Sequence, residues 1–406
     1  MLTTVIYRSY ICESITFVSL EKMVAAANFK NEQADVTGIL LFNGRHFFQL
    51  LEGPEDSVLK IYNSICTDDR HHNLVELLRD YAPSRRFGKV GMELFDLREY
   101  DRDEVLQTVL DKGTTKYQLA FNDRALQFFR TFVEATEKEN YFEIPPANAW
   151  EFITDGEGVA QNAIELENTA ECSFAFQPIV DPFAREVVSL EALVRTKDGR
   201  GPEDFFAGLT GNAIYEADLK SKQIAFAMAG KLNLRQQTIS VNLLPMTLVN
   251  LPGAVETLLQ AIESNGLVPE QVTVEFTESE VISRLDEFTR AVRLLKSAGI
   301  SVAIDHFGAG YGGLWLLAQF QPDRIKINRA LVGDVHKSGP RQAIVQAIVR
   351  CCTSLEIAIS AVGVEKAEEW MWLESAGISQ FQGSLFASPC LAGVEAIAWP
   401  ERTADL

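Results

Sequence analysis

A chain of 406 residues exceeds what one ordinary core fills, so two or three domains are expected, and 47% hydrophobic residues without a low-complexity tract leave no segment whose composition demands disorder. The formal net charge of −19, with no long run of Lys or Arg, argues against a surface that reads nucleic acid directly, because phosphate contacts need clustered cations. The cysteines Cys12, Cys66, Cys172, Cys351, Cys352 and Cys390 form no CxxC pair and no zinc-ligand spacing, so reduced, mostly buried thiols are expected; no apolar run reaches the roughly 18 residues of a membrane helix, and a soluble cytoplasmic protein follows.

From Thr3 to about Leu94, short apolar runs alternate with helical periodicity. TTVIYRSY predicts a strand, and SLEKMVAAANFKN, with apolar residues at helical spacing, predicts a helix. TGILLFN and RHFFQLLEG flank Asn43-Gly44, a dipeptide that tolerates the left-handed backbone of a tight hairpin. EDSVLKIYNSICTDD predicts a second helix, and NLVELLRDYAP and FGKVGMEL further strands. The resulting β-α-β-β-α-β order is a ferredoxin-like α+β arrangement over residues 1–93, with helices on one side of a sheet.

Residues 94–145 read as a helical connector: between Asp101 and about Lys138, DRALQFFRTFVEATEK carries an apolar stripe that must pack on something. Ile144-Pro145-Pro146 breaks the pattern, and 146–170, rich in Glu, Asn, Thr and Gly, read as an interdomain linker. Over 171–400, the segments SFAFQPIV, VVSLEALVR, TISVNLL, VTVEFTES, SVAIDHFG, RIKIN, IAISAVGVE and ISQFQGSLF predict strands. Helices such as ADLKSKQIAFAMAGKL, EFTRAVRLLKSAG and RQAIVQAIVRCC lie between them, a (β/α)8-type α/β barrel. Gln177, Glu191, Asn242, Glu275, Asp305, Lys326 and Gln382 each fall in or near the C-terminal part of a strand, the edge from which barrel sites are built. One such residue means little, since strand ends meet water; seven together predict a site.

Tyr7 in YRS, Asn31 after AANFK, DVTGILLF, Gln49 in FFQLLEG, and Arg70 and His71 in DDRHH resemble, in order and register, the BLUF family of blue-light receptors. Taken singly, Tyr7 reads as a core tyrosine and Gln49 as a sheet-face residue; the joint spacing carries the resemblance. It implies FAD as cofactor, with Tyr7 and Gln49 against the flavin ring. On excitation the Tyr would give up an electron and a proton, and the Gln would exchange hydrogen bonds. An amide carries both a donor and an acceptor, so rotation or tautomerisation rewrites its contacts without moving the backbone. The resemblance further places Asn31 at the polar edge of the ring, Lys30, Arg70 and His71 toward the ribityl and phosphate portion that cations suit, and Met92 in the cofactor-binding set. The family often has Trp two residues before that Met; here it is Val90, which removes the residue for signalling through a Trp but leaves flavin binding untouched.

FQPIV, EALVR, SVNLL, VEFTES, DHFGAGYGGL, RIKI and FQGSLF resemble the EAL family of cyclic-di-GMP phosphodiesterases, in which paired divalent metals, usually Mg or Mn, activate water against a phosphodiester. The resemblance implies Glu191, Asn242, Glu275 and Asp305 as metal ligands, Lys326 beside the attacking water as the catalytic residue of an active enzyme, and Gln177, Arg195 and Gln382 as substrate contacts; hard oxygen ligands suit such cations. The family pattern reads DDFG, KID and AEGVE where this chain has Asp305-His306, Lys326-Ile327-Asn328 and Ala361-Val362-Gly363-Val364-Glu365, so three carboxylates are missing. Val362 can neither ligate a metal nor take a proton; Glu365, three positions along an expected strand, should face the other way; His306 could ligate through a ring nitrogen. A single-metal or vestigial site is expected.

BLUF followed by an EAL barrel with DHFGAG resembles light-regulated antirepressors, in which the barrel is a protein-binding surface that relieves a MerR-type repressor. The leading expectation is therefore a light-switched interaction protein with no membrane segment and no direct nucleic-acid contact, homodimeric by analogy. The alternative is a light-activated cyclic-di-GMP phosphodiesterase, and residual nucleotide binding fits either.

Overall fold

The computed structural model describes residues 2–11, 17–82, 85, 87, 91–98, 124–134, 143–154, 171–232, 234, 237–278, 282–310 and 312–403. Two compact units emerge, one of residues 1–146 with 334–343 and one of 147–333 with 344–406.

In the first unit, β1 (Leu2–Ile11), β2 (Thr37–Phe42), β3 (His46–Pro54), β4 (His71–Ala82) and β5 (Glu93–Asp96) form one sheet in the order β4-β1-β3-β2-β5. All pairings are antiparallel except β2 with β5. The expected ferredoxin-like order is present, and Asn43-Gly44 does turn the hairpin: Gly44 takes φ +98°, and the Asn43 side-chain oxygen accepts from the amides of Arg45 and His46 at 3.1 and 2.7 Å. Glu93–Asp96 is the sheet's fifth strand.

Alternation along β1 sends Val5 and Tyr7 to one face and Ile6 to the other. The first face packs under α1 (Phe17–Gln33) and α2 (Glu55–Cys66) with Leu20, Val36, Leu40, Leu51 and Val58. The opposite face, with Ile39, Phe48 and Leu50, is covered by α3 (Arg124–Glu134), whose stripe Ala125, Phe129, Phe132 and Val133 is buried as its spacing requires. The rest of the predicted connector helices, most of 99–142, and Val90 lie outside the described residues.

The second unit is a closed barrel of β7 (Ser173–Asp181), β8 (Glu186–Arg195), β9 (Thr238–Asn242), β10 (Val272–Thr277), β11 (Ser301–Phe307), β12 (Arg324–Ile327), β13 (Ala358–Val362) and β14 (Gln380–Gln382), in chain order and closed by β14 on β7. It departs from eight parallel strands in one respect: β7 runs antiparallel to β8 and β14. Within the expected linker, β6 (Trp150–Thr154) pairs antiparallel with β15 (Ala398–Arg402), while residues 155–170 lie outside the described residues. The expectation of mostly buried thiols holds for Cys172 and Cys352, but Cys66 is exposed.

Candidate functional sites

Tyr7 and Gln49 are direct register partners on β1 and β3, so their side chains leave the sheet together on the face under α1 and α2. The Tyr7 hydroxyl donates to Oε1 of Gln49, and Nε2 of Gln49 reaches Sδ of Met92 at 3.4 Å. Gln49 thus has one neighbour on its acceptor side and one on its donor side, the arrangement an amide switch requires. Burial, with lesser contributions from Cys66 and Asp68, pushes the Tyr7 phenol well above its ordinary pKa, which favours the protonated, hydrogen-bond-donating form. Asn31, also buried, donates from Nδ2 to the Gly91 carbonyl at 2.7 Å.

Two residues that motif spacing did not single out join this cluster. Oδ1 of Asn28 accepts from the Met92 amide at 3.0 Å, and the Tyr62 ring lies 5.5 Å from that of Tyr7. Asn28 precedes Asn31 by three positions on α1 and so shares its face, a signal helical periodicity does contain.

The three predicted phosphate-side cations are placed differently from one another. Lys30 is exposed in the last turn of α1. Arg70 is exposed and forked onto the carboxylate of Asp68, whose pKa it holds at about 2. His71 lies with Nδ1 3.1 Å from Oγ of Ser9 and its ring against Phe47, and burial lowers its pKa, so the ring is held toward its neutral form. A phenol and an amide facing each other inside an otherwise apolar cluster fit the polar edge of a flat heteroaromatic ring, and the residues present therefore fit a flavin.

The barrel site sits on consecutive strands. Register aligns Glu275 with Asn242 and with Ala303, and Thr277 with Asp305. Carboxylate oxygens of Glu191, Glu275 and Asp305 all lie within 4.8 Å of one another, and all three residues are buried. Lys326, with no solvent exposure, donates to Oε2 of Glu191 at 2.6 Å and to Oε2 of Glu275 at 2.8 Å, and its Nζ lies 3.9 Å from Asp305. Glu191 also accepts from Nδ2 of Asn242 at 2.7 Å and Nε2 of Gln382 at 2.8 Å. Gln177 donates to the Ala387 carbonyl at 3.0 Å and Arg195 to that of Val194 at 2.9 Å, so the predicted substrate contacts are all engaged within the protein.

Burial opposes charge on every group here, and the cluster resolves that cost internally. Burial alone would lower Lys326, but Glu191, Glu275 and Asp305 together raise it, so the ammonium stays charged. Glu275 is raised by burial and by its neighbouring carboxylates against the pull of Lys326. Asp305, which burial would raise, is instead held low by Lys326 and by His306.

The three family carboxylates absent from the sequence are occupied by side chains with other partners. His306 lies with Nδ1 3.0 Å from Oδ2 of Asp305. It sits at φ +56° in a β11 register irregularity between Ile304 and Phe307, a left-handed conformation that His, like Asp, adopts more readily than bulky residues. The Asn328 side chain accepts from the Ala330 amide at 2.7 Å, capping the turn Arg329–Val332. Val362 ends β13, paired with Gln382. Glu365 does not lie on a strand, so the strand-parity reason for setting it aside fails; it is set aside because Arg329 holds its carboxylate through both Nη atoms. The donor set that remains, Glu191, Glu275, Asp305 and the Asn242 amide, fits one hard divalent cation, with Oε1 of Glu275 buried and without a partner among the described residues. At the three positions where the family pattern has further carboxylates, the described residues are His306, Asn328 and Val362.

Both units match known families. Residues 2–93 match the model for sensors of blue-light using FAD, BLUF, and residues 159–389 match the model of the EAL domain. The chain belongs to the BLUF and EAL families: it carries a blue-light-sensing, flavin-type BLUF domain followed by an EAL barrel. A relative in Escherichia coli K12, the blue light- and temperature-regulated antirepressor BluF, is 62% identical over 403 residues, 99% of this chain and all of that one. BlrP1 of Klebsiella pneumoniae, solved as a manganese and cyclic-diGMP complex, superposes with a TM-score of 0.90 at 41% identity over 99% of this chain and all of that one. BlrP1 with FMN and cyclic diGMP but no metal ions gives 0.85 at 38% identity over 99% and 100% of the two chains. No helix among the described residues is long and apolar enough to cross a membrane.

Proposed function

We propose that this chain is a cytoplasmic blue-light photoreceptor that binds FAD and signals through a hydrolytically silent EAL barrel, acting as an antirepressor that binds a MerR-type transcriptional repressor. The observation that carries the silent barrel is the partnering of His306, Asn328 and Glu365: one lies on Asp305, one caps a turn, one is held by Arg329. None is left to serve a second metal or to take a proton from water, and Val362 has no polar atom. The 62% identity to an antirepressor over the full length supports the partner class.

In the sensor, Tyr7, Gln49, Asn31 and Met92 would hold the flavin ring, with Lys30, Arg70 and His71 on the ribityl and phosphate side. The flavin supplies light absorption and electron acceptance. Tyr7 holds the proton that moves, and Gln49, bonded on both sides, converts that change into a new hydrogen-bond pattern reaching Met92. In the barrel, Glu191, Asn242, Glu275 and Asp305 would hold one Mg or Mn ion, which supplies charge for gripping a phosphate oxygen. Gln177, Arg195 and Gln382 would contact cyclic-di-GMP wherever nucleotide binding is kept, and a homodimer through barrel helices is part of this reading.

A light-activated phosphodiesterase is the second reading, favoured by the convergence of three carboxylates and Lys326 at one barrel mouth. Hydrolysis of cyclic-di-GMP with Mg or Mn, in light and dark, decides between them. Turnover near background in both supports the antirepressor; brisk turnover overturns it.

A further inference from the structure

One layer before Lys326 on the same strand lies a second basic side chain, Arg324, to which the RIKI motif assigns no role. Arg324 and Lys326 are two apart on β12, and Ile325 and Ile327, which alternate with them, are fully buried. Alternation therefore turns Arg324 to the side of the strand from which Lys326 reaches Glu191 and Glu275, one layer deeper in the barrel.

Register places it in the row of Glu275: Glu275 aligns with Ala303, and Ala303 with Arg324. Ala303 contributes only a methyl group between them. Nη1 of Arg324 and Oε1 of Glu275 are both buried and both without a hydrogen-bond partner among the described residues. Burial depresses the basicity of Arg324, and the Glu275 carboxylate is the charge that opposes this loss. A guanidinium stays protonated in such a place.

We propose that Arg324 is an internal counter-cation that lowers the affinity of the Glu191–Glu275–Asp305 cluster for divalent ions. Three carboxylates face the buried ammonium of Lys326, the buried Nη1 end of the half-buried Arg324, and a histidine bound to Asp305; little negative charge remains for a metal to neutralise. A divalent ion at the cluster meets the repulsion of Arg324 through a low-dielectric interior, where unit charges are felt over several ångströms. The inference deepens the reading of a hydrolytically silent barrel and rests on it only for the location of the metal.

The test is Mn2+ binding to the full-length protein, followed by calorimetry and by loss of the free-ion paramagnetic signal, for wild type, Arg324→Met, Arg324→Gln and Arg324→Lys. Both neutral variants should bind Mn2+ tighter by on the order of tenfold, while Arg324→Lys stays near wild type. Equal affinity in folded neutral variants and wild type overturns the proposal. So does Arg324→Lys matching the neutral variants, which would make size the cause, and so does failure of both neutral variants to fold even in millimolar Mn2+, which would make Arg324 a structural cation. Brisk hydrolysis by wild type sinks the silent-barrel reading instead and leaves the affinity comparison intact.

Discussion

Asp305 and His306, neighbours on β11, turn onto each other, with Nδ1 of His306 3.0 Å from Oδ2 of Asp305. A ring nitrogen on that oxygen competes with a metal for the same lone pair, and a positive charge on the ring would add repulsion. Restoring the family acids with His306→Asp, Asn328→Asp and Val362→Glu should therefore raise cyclic-di-GMP turnover. A general base contributes ~10²–10⁴-fold, and that is the scale of gain expected. The fold should tolerate Asn328→Asp, since Asp caps a helical turn as well as Asn does. An assay in Mn2+ that finds the triple variant no faster than wild type would remove the missing acids as the cause of silence.

The proposed switch role of Gln49 rests on its place between the Tyr7 hydroxyl and Met92, which among the described residues it connects. Gln49→Leu keeps the volume and removes both hydrogen bonds. The purified variant should be yellow but lose the small, reversible red shift of the flavin band under blue light. A normal shift in this variant would reassign the switch.

Light should also reach α3. Gln49 follows Phe48 on β3, so the two side chains leave opposite faces of the sheet, and the Phe48 ring lies 5.2 Å from that of Phe129 and 4.9 Å from that of Phe132. A shift of β3 that accommodates the new Gln49 pattern must be felt by α3. Amide exchange over Arg124–Glu134 should differ between light and dark, and identical exchange would take α3 out of the route.

The barrel depends on Lys326 in a way that separates it from the sensor. Lys326→Met leaves three buried carboxylates without their shared cation, and removing one partner of a buried ion pair costs about 3–5 kcal/mol. Trp150, Trp315, Trp370, Trp372 and Trp399 are the chain's only tryptophans, and all belong to the barrel unit, so their fluorescence follows barrel unfolding while flavin absorption follows the sensor. The variant should lower the tryptophan-detected transition and leave the flavin-detected one in place. Equal losses in both would mean that the two units unfold together.

Much of this was legible in the residues because local pattern and tertiary role agree. The strand alternation around Tyr7, the Asn43-Gly44 turn and the apolar stripe of α3 are each set by neighbours in sequence. The ribbon of β6 and β15 was not, since Trp399 pairs with Ile153 from far along the chain and the stretch after Ile153 is rich in polar residues. The orientation of Glu365 is hidden for a related reason: the strand expected to carry it stops at Val362, and its partner Arg329 follows the neighbouring strand β12. Strand ends are set by what the following residues bind, which spacing alone does not contain.

The sensor's response to acid follows from His46. It is buried on the α3 side of the sheet, its ring against Tyr10 at 4.3 Å, and burial, then Arg45, Arg8 and His72, lower its pKa from 6.5 to about 4. The folded sensor thus keeps this ring neutral until about pH 4, whereas the unfolded chain protonates it near pH ~6.5. Between those values the unfolded state binds more protons, so stability falls as pH drops through that window and is indifferent to this group above and below it. His71, whose pKa burial also lowers, acts in the same direction. Replacing His46 with Phe preserves a ring against Tyr10 and deletes the titration. Flavin-detected melting from pH 7 to 4 should show a falling midpoint in wild type and a shallower fall in His46→Phe. Parallel curves would show that His46 is not protonated on unfolding and that the acid response arises elsewhere.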